Sequence, residues 1–267
     1  MNQVSLISAI VSLTGAVATA VLGGMFEWRR RRSDREQTRR DLVSRYGDPL
    51  VQAATTLAYR IQNAIGLFAG QPIKQAAPGT KRQDEYNVYE TLYRLGAFLG
   101  WTQILYSEAH FLDLGSRRRN RRFLHRLGAA DAAIGGTGAG RQEPFVLLGG
   151  ERRAIGELMI APGSDPSRCL GYVEFRRKYD NDEEFRTWFA SAVDEIKTLM
   201  TAEPAVAVAR LVTVHNALIE LIDFLDPSKA WILMPRDKIT PKTHPDLFDL
   251  FPSATPAAAK ERASDPA

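Results

Sequence analysis

AVAVARLVTVHNALIELIDFL, residues 205 to 225, is the stretch on which the fold turns. Leu211, Val214, Leu218, Leu221, Ile222 and Leu225 recur at the three-or-four spacing that gathers side chains on one helical face. The helix stops before Asp226-Pro227, because a residue preceding proline is pushed out of helical geometry. Its length and apolar content raise the question of a membrane span. Arg210, His215, Asn216, Glu220 and Asp223 answer it, since such groups on the other face are costly in lipid. The stretch therefore reads as a water-exposed amphipathic helix, with His215 at the surface or edge, and the body as a packed helical domain.

The flanking segments repeat the pattern. Asp182 to Met200 is a helix capped by Asn181, with Glu184 at the capping-box spacing and Phe185, Trp188, Phe189, Ala192, Val193, Ile196, Leu199 and Met200 as its buried stripe. GERRAIGELMI, residues 150 to 160, is a short helix ending before Pro162-Gly163, preceded by an extended apolar run from Phe145 to Leu148. Asp84 to Leu114 is apolar on more than one side and so lies centrally, and Gly96 and Gly100 permit a close helix crossing or a slight bend. Its tyrosines and Trp101 read as packing. Asp48-Pro49 starts a further helix, Asp48 as N-cap and Pro49 in the first turn. That helix runs to about Phe68, burying Leu50, Ala53, Ala54, Leu57, Ile61, Ala64, Ile65 and Phe68.

At the N-terminus, Val4 to Phe26 carries no charged residue. Its 23 residues extend roughly 34 Å as a helix, enough for a hydrocarbon core of about 30 Å. Arg29, Arg30, Arg31 and Arg32 follow directly, and basic residues beside a span stay on the cytoplasmic side. A cleaved secretory signal, cut after Ala16-Val17-Ala18 or Ala18-Thr19-Ala20, is the competing reading, but its basic residues belong before the apolar run. The expectation is a single-pass membrane protein, N-terminus outside and bulk cytoplasmic. Arg29 to Arg32 are then placed to meet anionic lipid headgroups. Ser8, Ser12, Ala16, Ala20 and Gly24 recur every fourth residue, a small-residue stripe suited to parallel self-association.

RRRNRRFLHR, residues 117 to 126, is a second basic cluster: Arg117, Arg118, Arg119, Arg121 and Arg122. It reads as a solvated helix face or as a contact for lipid headgroups, nucleic acid or an acidic partner, and membrane proximity favours lipid over nucleic acid. GGTGAG at 135 to 140 lacks the strand, lysine and hydroxyl residue of a phosphate-cradling loop and reads as a flexible connection. Glu151 and Glu157 are six apart, on different helical faces, and no catalytic residue is assigned. One cysteine, Cys169, and four histidines offer no metal-ligand spacing, so neither metal nor cofactor is expected. Beyond Trp231 the prolines multiply, and a disordered tail is expected, with HPDLFDLF (244 to 251) as a strap on the domain or a docking segment.

The 267 residues, 45% hydrophobic and 25% charged with net charge +4, suit one good-sized domain with appendages. The expected fold class is all-α. It comprises a transmembrane anchor (1–28), a basic juxtamembrane segment (29–45), a cytoplasmic multi-helix domain (46–235) and a Pro/Ala-rich tail (236–267).

RYGDPLVQAATTLAYRIQN (45 to 63), TLYRLGAFLGW (91 to 101), GERRAIGELM (150 to 159), CLGY (169 to 172) and LIDFLDP (221 to 227) resemble a family of bacterial single-pass, membrane-anchored helical proteins with no established activity. The resemblance implies inner-membrane origin and a helical body, and carries over no site. Two functions remain in view. One is a non-enzymatic interaction or regulatory module that brings a protein partner to the membrane. The alternative is an enzyme or effector acting on a membrane or nucleotide substrate, with a site near Glu151, Arg152, Arg153 and Glu157. A concave site with convergent polar groups favours the second, and an exposed apolar patch the first.

Overall fold

The computed structural model describes residues 23–30, 33, 37, 43–70, 81–108, 116–136, 143–163, 167–229 and 235–254. Among them the regular elements are helices, and the one sheet-like contact is an isolated antiparallel bridge between Ile160 and Cys169. An all-α body is thus established. Ser8, Ser12, Ala16 and Ala20, with Arg31 and Arg32, lie outside the described residues, as do most of the apolar leader and 255–267. Residues 23–30 are helical and exposed.

The body opens with a π-helical turn, Val43–Gly47, that leads into α1 (Asp48–Phe68). Gly47 already has helical angles, so Asp48 is the first helical residue and not the cap expected of it. The remaining helices are α2 (Lys81–Glu108), α3 (Arg117–Ile134), α4 (Gly149–Leu158), α5 (Tyr172–Asn181), α6 (Glu183–Trp188), α7 (Ala190–Thr201), α8 (Pro204–Leu225) and α9 (Pro245–Leu250).

α8 is the axis of the body. Glu203 caps it by accepting hydrogen bonds from the amides of Ala205 and Val206. α1 and α3 both pack against it, as does the short turn Pro252–Ala254. Among the described residues it is the one helix long and apolar enough to cross a membrane, yet 61% of its most apolar stretch is buried. Packing replaces lipid as its apolar surroundings.

That packing corrects the one-sided reading of 205–225. Arg210 is 4% exposed and His215 2% exposed, so neither lies on a solvated face. Asn216 and Glu220 form the seat of the C-terminal segment. The Asn216 side chain exchanges two 2.8 Å hydrogen bonds with the backbone of Ile239, and Glu220 accepts from Lys238 at 2.6 Å and pairs with Arg126 of α3. Arg236 and Asp226 form a buried ion pair. Ile239, Leu247, Phe248 and Ala254 are buried as well. The tail boundary at 236 is therefore too early, because residues 235–254 belong to the packed body.

The helix expected over 182–200 is two helices preceded by a third. Asn181 ends α5 and does not cap; the Asp182 carboxylate caps α6 by accepting from the Phe185 amide at 3.0 Å. The break at Phe189 lets its ring stack on Phe185 at 4.9 Å and meet Phe175 edge-on at 5.4 Å. Such contacts add about 0.5–1.5 kcal/mol each beyond area burial. Trp188 and Met200, placed in the buried stripe by periodicity, are about half exposed.

α2 packs on α1 and on α4. The crossing with α4 needs glycine on both sides. A Cβ at Gly100 would lie 2.6 Å from the Cys169 sulfur and 2.9 Å from Met159 Cβ, and one at Gly156 would lie 2.8 Å from the Leu99 carbonyl oxygen. Gly100 thus permits the close approach that its position in the sequence suggested. The run from Phe145 to Leu148 opens on a bend, Phe145 having φ 61°, and reaches extended angles at Leu148, with the side chains of Phe145 and Leu147 buried.

Candidate functional site

Three features of the body stand apart from its packed core. The first is the N-terminal half of α3. Ser116 caps it, its hydroxyl accepting from the Arg119 amide at 3.2 Å, and Phe123, Leu127, Ala130 and Ile134 form its buried face. Arg117, Arg118, Arg119, Arg121 and Arg122 are all exposed. None of the five pairs with a carboxylate among the described residues, and the first turn holds no acid. A helix N-terminus carries partial positive charge, so each arginine in the first turn opposes helix formation by about 0.3–1 kcal/mol. Arg29 and Arg30 are likewise exposed, and a Cβ at Gly24 would meet open space.

The second feature is a polar cleft of about 550 Å³ between α2, α3 and the start of α4. It gathers Arg152, Arg153 and Glu157 from the segment singled out in the sequence, and adds Gln103, Tyr106 and Asp131. Glu151 stands apart, accepting from the Leu148 amide at 2.7 Å as part of the helix cap. Arg152 is committed to structure. Its Nε and Nη2 each lie 3.0 Å from an Asp131 oxygen, and its Nη1 donates to the Leu147 carbonyl. The lining therefore carries two guanidinium groups and two carboxylates, and no net charge. The Thr102 hydroxyl, buried in the wall of the cleft, has no hydrogen-bond partner among the described residues. Burial, followed by the nearby Asp131, raises the Tyr106 pKa above the ordinary phenol value, so Tyr106 remains a neutral donor and acceptor at pH 7.

The third feature is an apolar cavity of about 250 Å³ where α1 and α2 meet α7. Ile61, Leu67, Phe68, Ile196, Leu199 and Met200 supply its walls, and Leu67 and Met200 are about half exposed at its mouth. Arg60, Asn87 and Thr91 are its polar lining. Arg60 donates from Nε to the Thr91 hydroxyl at 2.8 Å and from Nη2 to the Asn87 backbone and side-chain oxygens at 3.0 Å. Every acceptor is neutral. Arg94, its nearest charged neighbour of like sign, is held by Glu90 at 2.5 Å and by the Thr56 carbonyl at 2.9 Å. Burial, and after it the Arg94 charge, hold the Arg60 pKa below its ordinary value.

Sequence periodicity missed Arg60 and Arg210. Arg60 interrupts the apolar face of α1 three residues after Leu57 and just before Ile61, an interruption that could have marked it. Arg210 carries no such signal, because its partners, the carbonyls of Ile134, Pro144 and Phe145, lie more than 60 residues away in the chain. Among the described residues no group of three or more His, Cys, Asp or Glu side chains is placed to hold a metal ion. Comparison with protein-family models, curated proteins and solved structures gave no match.

Proposed function

We propose that this chain is a non-enzymatic interaction module held at the inner face of a bacterial plasma membrane. Residues 4 to 26 form its span, the N-terminus lies outside, and the helical body in the cytoplasm receives a protein partner. The observation that carries the reading is the exposed arginine run on α3. Five exposed guanidinium groups, three of them in the first turn that repels them, have no carboxylate partner among the described residues, and an anionic bilayer surface attracts each by about 1 kcal/mol. In this reading Arg29 to Arg32 make the same contact at the foot of the span. The exposed Met25, Phe26 and Trp28 on the helical stretch 23–30 suit an interfacial exit from the bilayer. Self-association through Ser8, Ser12, Ala16, Ala20 and Gly24 completes the proposal.

The arginine contact is tested on the full-length protein in nanodiscs, with a fluorophore at Leu124→Cys and a quencher on the lipid headgroup. Leu124 is 46% exposed beside the run. Burial pushes the Cys169 thiol up to about 12, which leaves the introduced thiol as the reactive one. Quenching should appear with anionic lipid, weaken with salt and vanish when the five arginines become glutamine. Equal quenching in neutral and anionic nanodiscs would sink the reading.

A second reading, an enzyme or effector acting on a membrane or nucleotide substrate, draws support from the polar cleft with its unpartnered Thr102 hydroxyl. Affinity capture from solubilised membranes separates the two. An enriched protein partner supports the module, and a co-purifying small molecule lost on Arg153→Ala supports the effector.

A further inference from the structure

We propose that the cavity between α1, α2 and α7 binds a medium-chain fatty acid, its chain against Ile61, Leu67, Ile196 and Met200 and its carboxylate on Arg60. The inference rests on the cavity and its charge, and holds whether or not the α3 arginines touch lipid.

A largely desolvated guanidinium is costly unless an anion faces it. Arg236 answers that cost with the Asp226 carboxylate; Arg210, like Arg60, meets only neutral acceptors, and of those two it is Arg60 that lines the cavity. Arg60 has only neutral acceptors on Nε and Nη2, and no carboxylate pairs with it among the described residues. Glu90, the acid close by, is already bonded to Arg94. One positive charge is therefore left at the polar lining of a cavity whose other walls are aliphatic or aromatic. Ligand sites have this composition, apolar walls with few polar groups that fix orientation.

The ligand's chemistry follows from the same inventory. One uncompensated guanidinium matches one negative charge, and its planar fork suits the two oxygens of a carboxylate. A phosphate dianion would leave a charge unmatched, because Arg94 is committed elsewhere. The cavity, about 250 Å³, falls just below the usual range for drug-sized ligands, which selects a single chain of moderate length over a two-chain lipid. Half-exposed Leu67 and Met200 leave a mouth through which the chain can enter.

The test uses the full-length protein in phosphatidylcholine nanodiscs with a diazirine analogue of dodecanoate, the crosslinked peptides being mapped by mass spectrometry. Labelling should fall on peptides carrying Leu67 and Met200 and be displaced by excess dodecanoate. Arg60→Gln should weaken it about tenfold, equivalent to losing roughly 1.4 kcal/mol, while Arg60→Lys, which keeps the charge, should retain most of it. Ala64→Trp, filling the cavity from α1, should abolish it. The matching diazirine alcohol should label no more than background. Thermal melts of each variant report folding. If Arg60→Gln unfolds the body, the acid-against-alcohol comparison and Ala64→Trp still decide. Equal labelling by alcohol and acid, labelling unchanged in Ala64→Trp, or label confined to the first 30 residues would overturn the proposal.

Discussion

Helix α3 meets arginine at both of its ends, and the two ends treat it in opposite ways. At the C-terminal end the buried Arg210 of α8 donates to the carbonyl of Ile134, the last residue of α3, at 3.0 Å, and to Phe145 at 2.9 Å. That carbonyl lies at the negative end of the helix, where a cation is favoured. At the N-terminal end five arginines are exposed, three of them in the first turn against the helix dipole. The lesson is that arginine in this protein is structural where backbone carbonyls converge on it.

The largest expected effect comes from breaking the buried end. Arg210→Met removes the donor to the carbonyls of Ile134, Pro144 and Phe145, and a buried acceptor left unpaired costs about 1–3 kcal/mol. Relief from burying a guanidinium offsets part of this, so a loss of about 3–5 kcal/mol should appear in urea denaturation. A loss below about 1 kcal/mol would mean that Arg210 does not hold the 143–148 turn.

Next in size is the buried histidine on the same helix. Burial lowers the His215 pKa from 6.5 to about 4, against a smaller opposing effect of the Asn216 hydrogen bond, while His244 adds slightly to the lowering. The unfolded chain therefore binds a proton that the folded chain refuses between those values. Stability due to neutral His215 is complete above pH 6.5 and is lost as pH falls to about 4, by up to about 3 kcal/mol. In His215→Leu the stability profile should be flatter than that of the parent over this window, and parallel profiles would remove His215 from the account.

The smallest effect has the opposite sign. Replacing Arg117, Arg118, Arg119, Arg121 and Arg122 by glutamine should raise stability by about 1 kcal/mol at low salt, as repulsion from the helix end is relieved. Adding salt should erase the gain. A loss of stability would show that the run serves the fold after all.

Much of the helical layout was legible because periodicity is local. Leu50, Leu57, Ile61 and Ile65 in α1, and Leu211, Val214, Leu218 and Ile222 in α8, are buried as their spacing requires. The polar residues of 205–225 were not, since pattern alone treats Arg210, His215 and Asn216 as solvent-facing until something is known to pack there. The same blindness hid the split at Phe189. A helix running to Met200 and two helices stacking Phe185 on Phe189 share one hydrophobic pattern, and only Phe175 from α5 selects the second.

Taken alone, the chain determined its all-helical class, the main helices, the glycine crossing at Gly100 and the positions of both arginine clusters. These follow from side-chain size, charge and a fixed helical repeat, all written within a few residues of one another. Tertiary structure decided which arginines are partnered, that 235–254 is bound to α8, and that Arg60 stands at an apolar cavity with no carboxylate paired to it among the described residues. Those outcomes depend on which distant carbonyls, carboxylates and apolar walls are brought together, and desolvation acts only after they have met.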